Sequence, residues 1–271
     1  MKPLSKEEQL RAYYGTLFRA WGRQHWWPAR TRFEVIVGSY LTQNTAWTNV
    51  ELALRRLRAS GLLNLEGIRG TPLPQLESMI RSAGYFRQKA RRLKTFVAFL
   101  DERYGGSLNR MLAQPTDKLR QELLALNGVG PETADSILLY AGQHPVFVVD
   151  AYTRRILDRH GILAENAPYD EIRNLFERAL GRIEPRGQDS SRAENGGYEN
   201  RALASAARNL TPSTRNLPGA AHRPSPMSLA KRSALAQVYN DMHGLIVGVG
   251  KNYCLKSQAR CEQCPLQRFL P

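Results

Sequence analysis

Leu126-Asn127-Gly128-Val129-Gly130-Pro131-Glu132-Thr133-Ala134 divides two runs of helical patterning, and Asp150 follows at the end of a short apolar stretch, Val146-Phe147-Val148-Val149. Upstream, Leu119, Leu123, Leu124 and Leu126 recur at helical spacing; downstream, Ala134, Ile137, Leu138 and Ala141 do the same. That spacing predicts two amphipathic helices around a tight turn. The two glycines permit positive φ and leave backbone N–H groups uncovered, and Pro131 suits a first helical position that needs no amide partner. Amide donors at a helix start attract an anion. The same turn also serves as an ordinary corner of an αα-hairpin, so alone it speaks to fold rather than ligand.

Charge speaks to the ligand. The 271 residues include 39 Lys plus Arg against 24 Asp plus Glu, a formal net charge of +15. Such a balance suits a polyanion, and a DNA phosphate is the natural anion for the turn, although a ribosomal or membrane-surface partner fits the number too. The charged start, Met1 to Gln9, and the lack of any apolar run near the roughly 18 residues that span a bilayer argue against a membrane and predict a cytoplasmic protein. The length allows one large or two modest domains. Three cysteines near the C-terminus do not make a disulfide framework.

The chain reads as all-α. Helical patterning covers about 6–22, 32–41, 46–60, 75–83, 86–103, 117–126, 131–142, 151–160, 169–181 and 229–252, with Gly and Pro between. Val146–Val149 suits an extended connection into a helix that Asp150 would cap. Residues 185–228 lose all periodicity in favour of Gly, Pro, Ser, Asn, Arg and Ala, and are expected to be a disordered insertion, since so little apolar surface cannot offset the entropy of ordering.

Several of these segments in order, Gly128-Val129-Gly130-Pro131-Glu132-Thr133-Ala134, Val148-Val149-Asp150, and Cys254, Cys261 and Cys264, resemble the helix-hairpin-helix DNA glycosylases of the endonuclease III superfamily. Leu41-Thr42-Gln43-Asn44-Thr45 and Ile80 to Ala90 resemble that family's helices on the DNA side. Trp26-Trp27-Pro28, Phe33-Glu34-Val35-Ile36 and Ala46-Trp47 add a likeness to its 3-methyladenine DNA glycosylase III branch. The resemblance covers nearly all of the chain outside the insertion.

It implies two helical domains with a cleft between them. A central domain would run over 29–145, and 1–28 plus 146–271 would form the second, with the C-terminal cysteine loop and the 185–228 insertion inside it. The implied partner is double-stranded DNA carrying a damaged base, bound by a monomer. Gly128, Val129, Gly130 and Thr133 would grip phosphate, and Gln43 would either fill the gap left by a flipped base or sit as a surface amide. Asp150 would be the catalytic carboxylate, an anion beside C1′ that stabilises oxocarbenium-like charge as the base leaves. Trp26, Trp27, Pro28 and Trp47 would line the base pocket, or pack as core. A cationic methylated purine suits indoles, at about 0.5–2 kcal/mol per contact.

Two departures qualify the resemblance. Glu132 stands where the family's backbone-cleaving members hold a lysine, and a carboxylate cannot form a Schiff base. A glycosylase without AP-lyase activity follows, unless another lysine such as Lys251 substitutes. The cysteines follow the spacing of the family's 4Fe-4S loop, but its fourth position is Leu270. A cluster with a non-cysteine fourth ligand, for which His243 is a candidate, a zinc-like site, and a loop without metal all stay open. The function expected is hydrolytic removal of an alkylated purine such as 3-methyladenine. Excision of deaminated, oxidised or mismatched pyrimidines, and damage binding without catalysis, are the alternatives.

Overall fold

A computed structural model describes residues 4–183 and 222–271. Within them the chain is helical, the one extended pairing being an isolated bridge between Cys254 and Ala259. Most of the predicted insertion, 185–221, lies outside the described residues. Its last part, 222–228, is packed rather than loose: the His222 N–H donates to Gln24 O and the Met227 N–H to Ala29 O, and Met227 and Ser228 are buried.

The chain divides into two compact units. One comprises Trp27–His144 with Pro224–Lys231. Its centre is α2 (Arg32–Leu41), buried from Phe33 to Leu41. Thr31 caps the helix by accepting from the Glu34 N–H, and the buried Glu34 carboxylate takes the Arg58 guanidinium and the Arg30 N–H. The unit also holds α3 (Trp47–Ala59), α4 (Leu65–Gly70), α5 (Leu73–Met79), α6 (Phe86–Tyr104), α7 (Leu108–Leu112), α8 (Thr116–Leu124) and α9 (Pro131–Ser136), of which α3, α6 and α9 pack on α2. The last runs on as a wider π-type segment to Gly142. Helices α4 and α7 are too short to show a period, and the sequence reading passed over both.

The other unit comprises Met1–Trp26, Pro145–Arg223 and Arg232–Pro271. It is built from α1 (Lys6–Trp21), α10 (Ala151–Arg159), α11 (Tyr169–Leu180) and α12 (Ala234–Asn252). Helix α1 packs on α11, and α10 packs on α12. Phe147 stacks on Phe176 with ring centroids 4.1 Å apart, which seats the extended segment before Asp150. Helix α12 is buried on every face from Met242 to Gly250, so its Gly-rich apolar sequence shows no polar stripe. Gly244 lets residues 24–26 lie directly on it: a Cβ there would stand 3.0 Å from Gln24 Cβ and 3.2 Å from Trp26 Cβ.

Candidate active site and nucleic-acid interface

The predicted hairpin forms, but its glycines do different work. Gly128 takes φ +78°, a conformation that calls for glycine, and a Cβ on it would fall 1.9 Å from Arg92 Nε and push that guanidinium aside. Gly130 has extended backbone, φ −93° and ψ 176°, and is the N-cap of α9 with Pro131 at the first position. Val129 closes the turn, its N–H donating to Leu126 O at 3.1 Å, and its side chain is buried. A salt bridge clamps the two helices of the hairpin together. Arg120 on α8 meets the fully buried Asp135 on α9 through two hydrogen bonds of 2.7 and 3.2 Å. Glu132 lies exposed in the first turn of α9, where its charge complements the dipole.

Gln43, just past the C-terminus of α2, is folded onto this hairpin. Its Nε2 donates to Gly128 O at 3.0 Å and Thr133 Oγ1 at 2.9 Å, and its Oε1 accepts from Arg92 Nη1 at 2.7 Å. The amide is therefore stowed in this structure rather than displayed. Gln88, Arg91, Arg92, Thr95 and Asn127 line a polar groove beside the turn. Tyr85, which the sequence reading did not single out, is 67% exposed and holds a left-handed conformation, φ 44° and ψ 31°, at the start of α6. Its signal was the Gly84-Tyr85 pair before an Arg-rich helix. The aromatic stretch is also divided: in this unit Trp27 is buried edge-on against Trp47, centroids 5.3 Å apart, and packs on Tyr140 at 5.2 Å. Pro28 and Trp47 are half-buried.

In the other unit, Asp150 is the N-cap of α10. Its Oδ1 accepts from the Thr153 N–H at 2.8 Å and the Thr153 hydroxyl at 2.9 Å. Its Oδ2 stands 3.5 Å from His243 Nε2 on α12, with the Asp150 side chain 13% exposed. Burial pushes the carboxyl up, but the hydrogen bond and charge of His243 and the two Thr153 donors outweigh it and hold it below the usual carboxylate range. His243 is thus a neighbour of Asp150 and not the metal ligand considered from sequence. Trp26, buried, sits beside His243 and His222 at 6.0 and 5.3 Å between centroids, and Lys251 places its ammonium 5.7 Å from the indole centroid.

The cysteine loop packs against the far end of the same helix. Arg155 donates to Cys254 O at 2.7 Å, and Arg159 to Cys254 Sγ at 3.3 Å and Leu255 O at 2.8 Å. Cys254, Cys261, Cys264, His160 and Leu270 line one pocket. His160, which the sequence reading missed, engages the Tyr13 hydroxyl through Nδ1 at 2.7 Å. Among the described residues no three His, Cys, Asp or Glu groups converge closely enough for a single metal ion. The three cysteines share this pocket, and the Leu266 N–H donates to Cys264 Sγ at 3.4 Å. Leu270, apolar and inside that pocket, cannot be a ligand, so the donor set offers three thiolates where four are usual.

Comparison with known proteins places these features in context. Residues 37–182 match the profile described as HhH-GPD superfamily base excision DNA repair protein. A Methanocaldococcus jannaschii protein provisionally named as a DNA repair glycosylase is 38% identical over 98% of this chain and 97% of its own. Endonuclease III of Thermotoga maritima is 31% identical over 55% of this chain and 65% of its own. Among solved structures, the Helicobacter pylori 3-methyladenine DNA glycosylase bound to 1,N6-ethenoadenine has a TM-score of 0.64 at 27% identity, covering 92% of this chain and 98% of that one. A trapped endonuclease III–DNA covalent intermediate, at 20% identity, shares the fold with a TM-score of 0.67 over 98% and 96% of the two chains.

Proposed function

Since the chain belongs to the HhH-GPD superfamily of base excision DNA repair proteins, we propose that it is a monofunctional DNA glycosylase that hydrolyses the bond between deoxyribose and an alkylated purine. It acts as a monomer on duplex DNA. The hairpin around Gly128, Gly130 and Thr133 holds the backbone, and the damaged nucleotide is flipped, because C1′ cannot be reached inside the stack. One observation carries the chemistry: a partly exposed carboxylate, Asp150, kept ionised and fixed by Thr153 and His243. The C1′–N bond breaks with its electron pair leaving on the base, the aspartate stabilises the cationic sugar, and water adds to C1′ while losing a proton.

The likeness to the 3-methyladenine glycosylase supports the alkylated purine, as does the half-buried Trp47, an indole of the kind that suits a cationic base. A base already cationic leaves without a strong general acid, and none is needed beside Asp150. Glu132 supports hydrolysis without lyase action, since no amine stands there to attack C1′. Cys254, Cys261 and Cys264 would hold an iron-sulfur cluster, which would brace the loop that Arg155 and Arg159 tie to α10.

A base-release panel tests the reading with duplexes carrying 3-methyladenine, 7-methylguanine, hypoxanthine, uracil or oxidised pyrimidines. Release of methylated purine by the wild type, lost in Asp150→Asn with DNA binding kept, is expected. Release confined to pyrimidines refutes the substrate assignment, and no release from any duplex leaves only a damage binder. Borohydride added to the reaction is expected to trap no covalent adduct; a trapped adduct refutes the monofunctional assignment.

A further inference from the structure

Lys89 is a buried cation that the chemistry above does not use. Its side chain is 1% exposed, and burial together with the neighbouring Arg92 charge pulls its pKa down to about 8. Placing an ammonium in a core without a counter-charge is expensive, and a methionine of similar length would serve packing alone more cheaply. The three N–H donors of Lys89 are spent on backbone carbonyls: Leu41 O at 2.9 Å, Gln43 O at 2.7 Å and Ala83 O at 2.7 Å. Those acceptors belong to two separate segments. Leu41 and Gln43 end α2 and carry the stowed amide, while Ala83 precedes Gly84 and the exposed Tyr85. Guanidinium groups of Arg81 and Arg87 lie 5.7 and 5.6 Å from the ring of Phe86, the next residue.

We infer that Lys89 is a positioning residue: its ammonium fixes the Gln43 and Tyr85 segments in one register, so that an amide and an aromatic ring enter a duplex together where a base is missing from the stack. The inference rests on DNA being the partner. Holding two segments at one nitrogen removes the relative freedom of their backbones before binding, so insertion has only to release the Gln43 side chain from the hairpin and from Arg92. Binding itself, driven by phosphate contacts, is independent of that register, whereas preference for a gapped stack depends on it. Tyr85 supplies the stacking surface, on a backbone strained in a way that only surrounding structure maintains.

The test compares wild type with Lys89→Met on two labelled duplexes, one intact and one containing a tetrahydrofuran abasic analogue flanked by 2-aminopurine. Expected are a loss of at least about tenfold in preference for the abasic duplex, unchanged affinity for the intact one within about twofold, and loss of the 2-aminopurine fluorescence rise. A folded variant that keeps the preference overturns the inference. Should Lys89→Met not fold, Gln43→Ala, Tyr85→Ala and their double variant decide. Losses that fail to add support one inserting unit, and additive losses overturn it. Absence of abasic preference in the wild type also overturns it, even with base release intact; preference without base release sinks the glycosylase reading and leaves this one.

Discussion

Asp150 and His243 face each other at 3.5 Å across the junction of α10 and α12, one oxygen of the carboxylate anchored by Thr153 and the other turned to the imidazole. The arrangement divides the labour of the carboxylate. The cap bonds fix its direction, and the histidine offsets the cost of burying its charge. Tyr152 is a further titratable neighbour, and burial together with the Asp150 charge raises its phenol.

Removing His243 therefore has a pH signature. A carboxyl held below its ordinary value of 3.8 contributes stability above that pH, and the contribution is lost as pH falls through the lower folded-state value. In the wild type, base release should persist through the mildly acidic range. In His243→Ala burial acts unopposed by the imidazole, so the acid limb of the pH–rate profile should move to higher pH. An unshifted limb with the same plateau would show that the histidine is only packing.

The Arg120–Asp135 pair predicts a stability effect confined to the hairpin's own unit. Asp135 is 0% exposed and Arg120 14%, so Arg120→Ala takes from a buried carboxylate the guanidinium that neutralises it, at a cost of about 3–5 kcal/mol. For a domain of this size each kcal/mol moves the melting temperature by roughly 2–4 °C. Calorimetry should show a fall well beyond 5 °C. A fall under 2 °C would mean that the Arg120 guanidinium is not what neutralises Asp135.

Much of this was legible in the chain, and the rest was hidden for physical reasons. Helices with one wet face, such as α6 and α8, show their period, and the Gly128 to Ala134 turn announces itself by residue type. Asp150 could be read as a cap because an extended apolar run precedes it. Lys89 and His160 could not be read, since their meaning lies in partners far along the chain: Leu41 and Gln43 for one, Tyr13 for the other. His243 was read as a possible ligand because α12 leads to the cysteines, but its position on the helix turns it to Asp150.

The cysteine loop predicts a gain of function. Leu270 already lines the pocket that Cys254, Cys261 and Cys264 share, so Leu270→Cys would complete a four-thiolate set. Anaerobic reconstitution should give about four irons per chain in that variant, with a broad visible absorption that resists oxidation. The wild type is expected to hold fewer irons or lose them on exposure to air. Equal iron content and equal stability in both proteins would mean that the fourth position contributes nothing.

Lys89 predicts a rise in stability with pH, the reverse of the usual lysine case. Its folded-state pKa of about 8 lies below the ordinary 10.5, so between these values the unfolded chain binds the proton more often than the folded one. The folded state then gains as pH increases. Lys94 is shifted in the same direction by burial, while the buried tyrosines, raised above 10, act oppositely only at higher pH. Urea unfolding between pH 8 and pH 10 should therefore show the difference in stability between wild type and Lys89→Met shifting in favour of the wild type. A pH-independent difference would mean that the ammonium is as well solvated by its three carbonyls as it is by water.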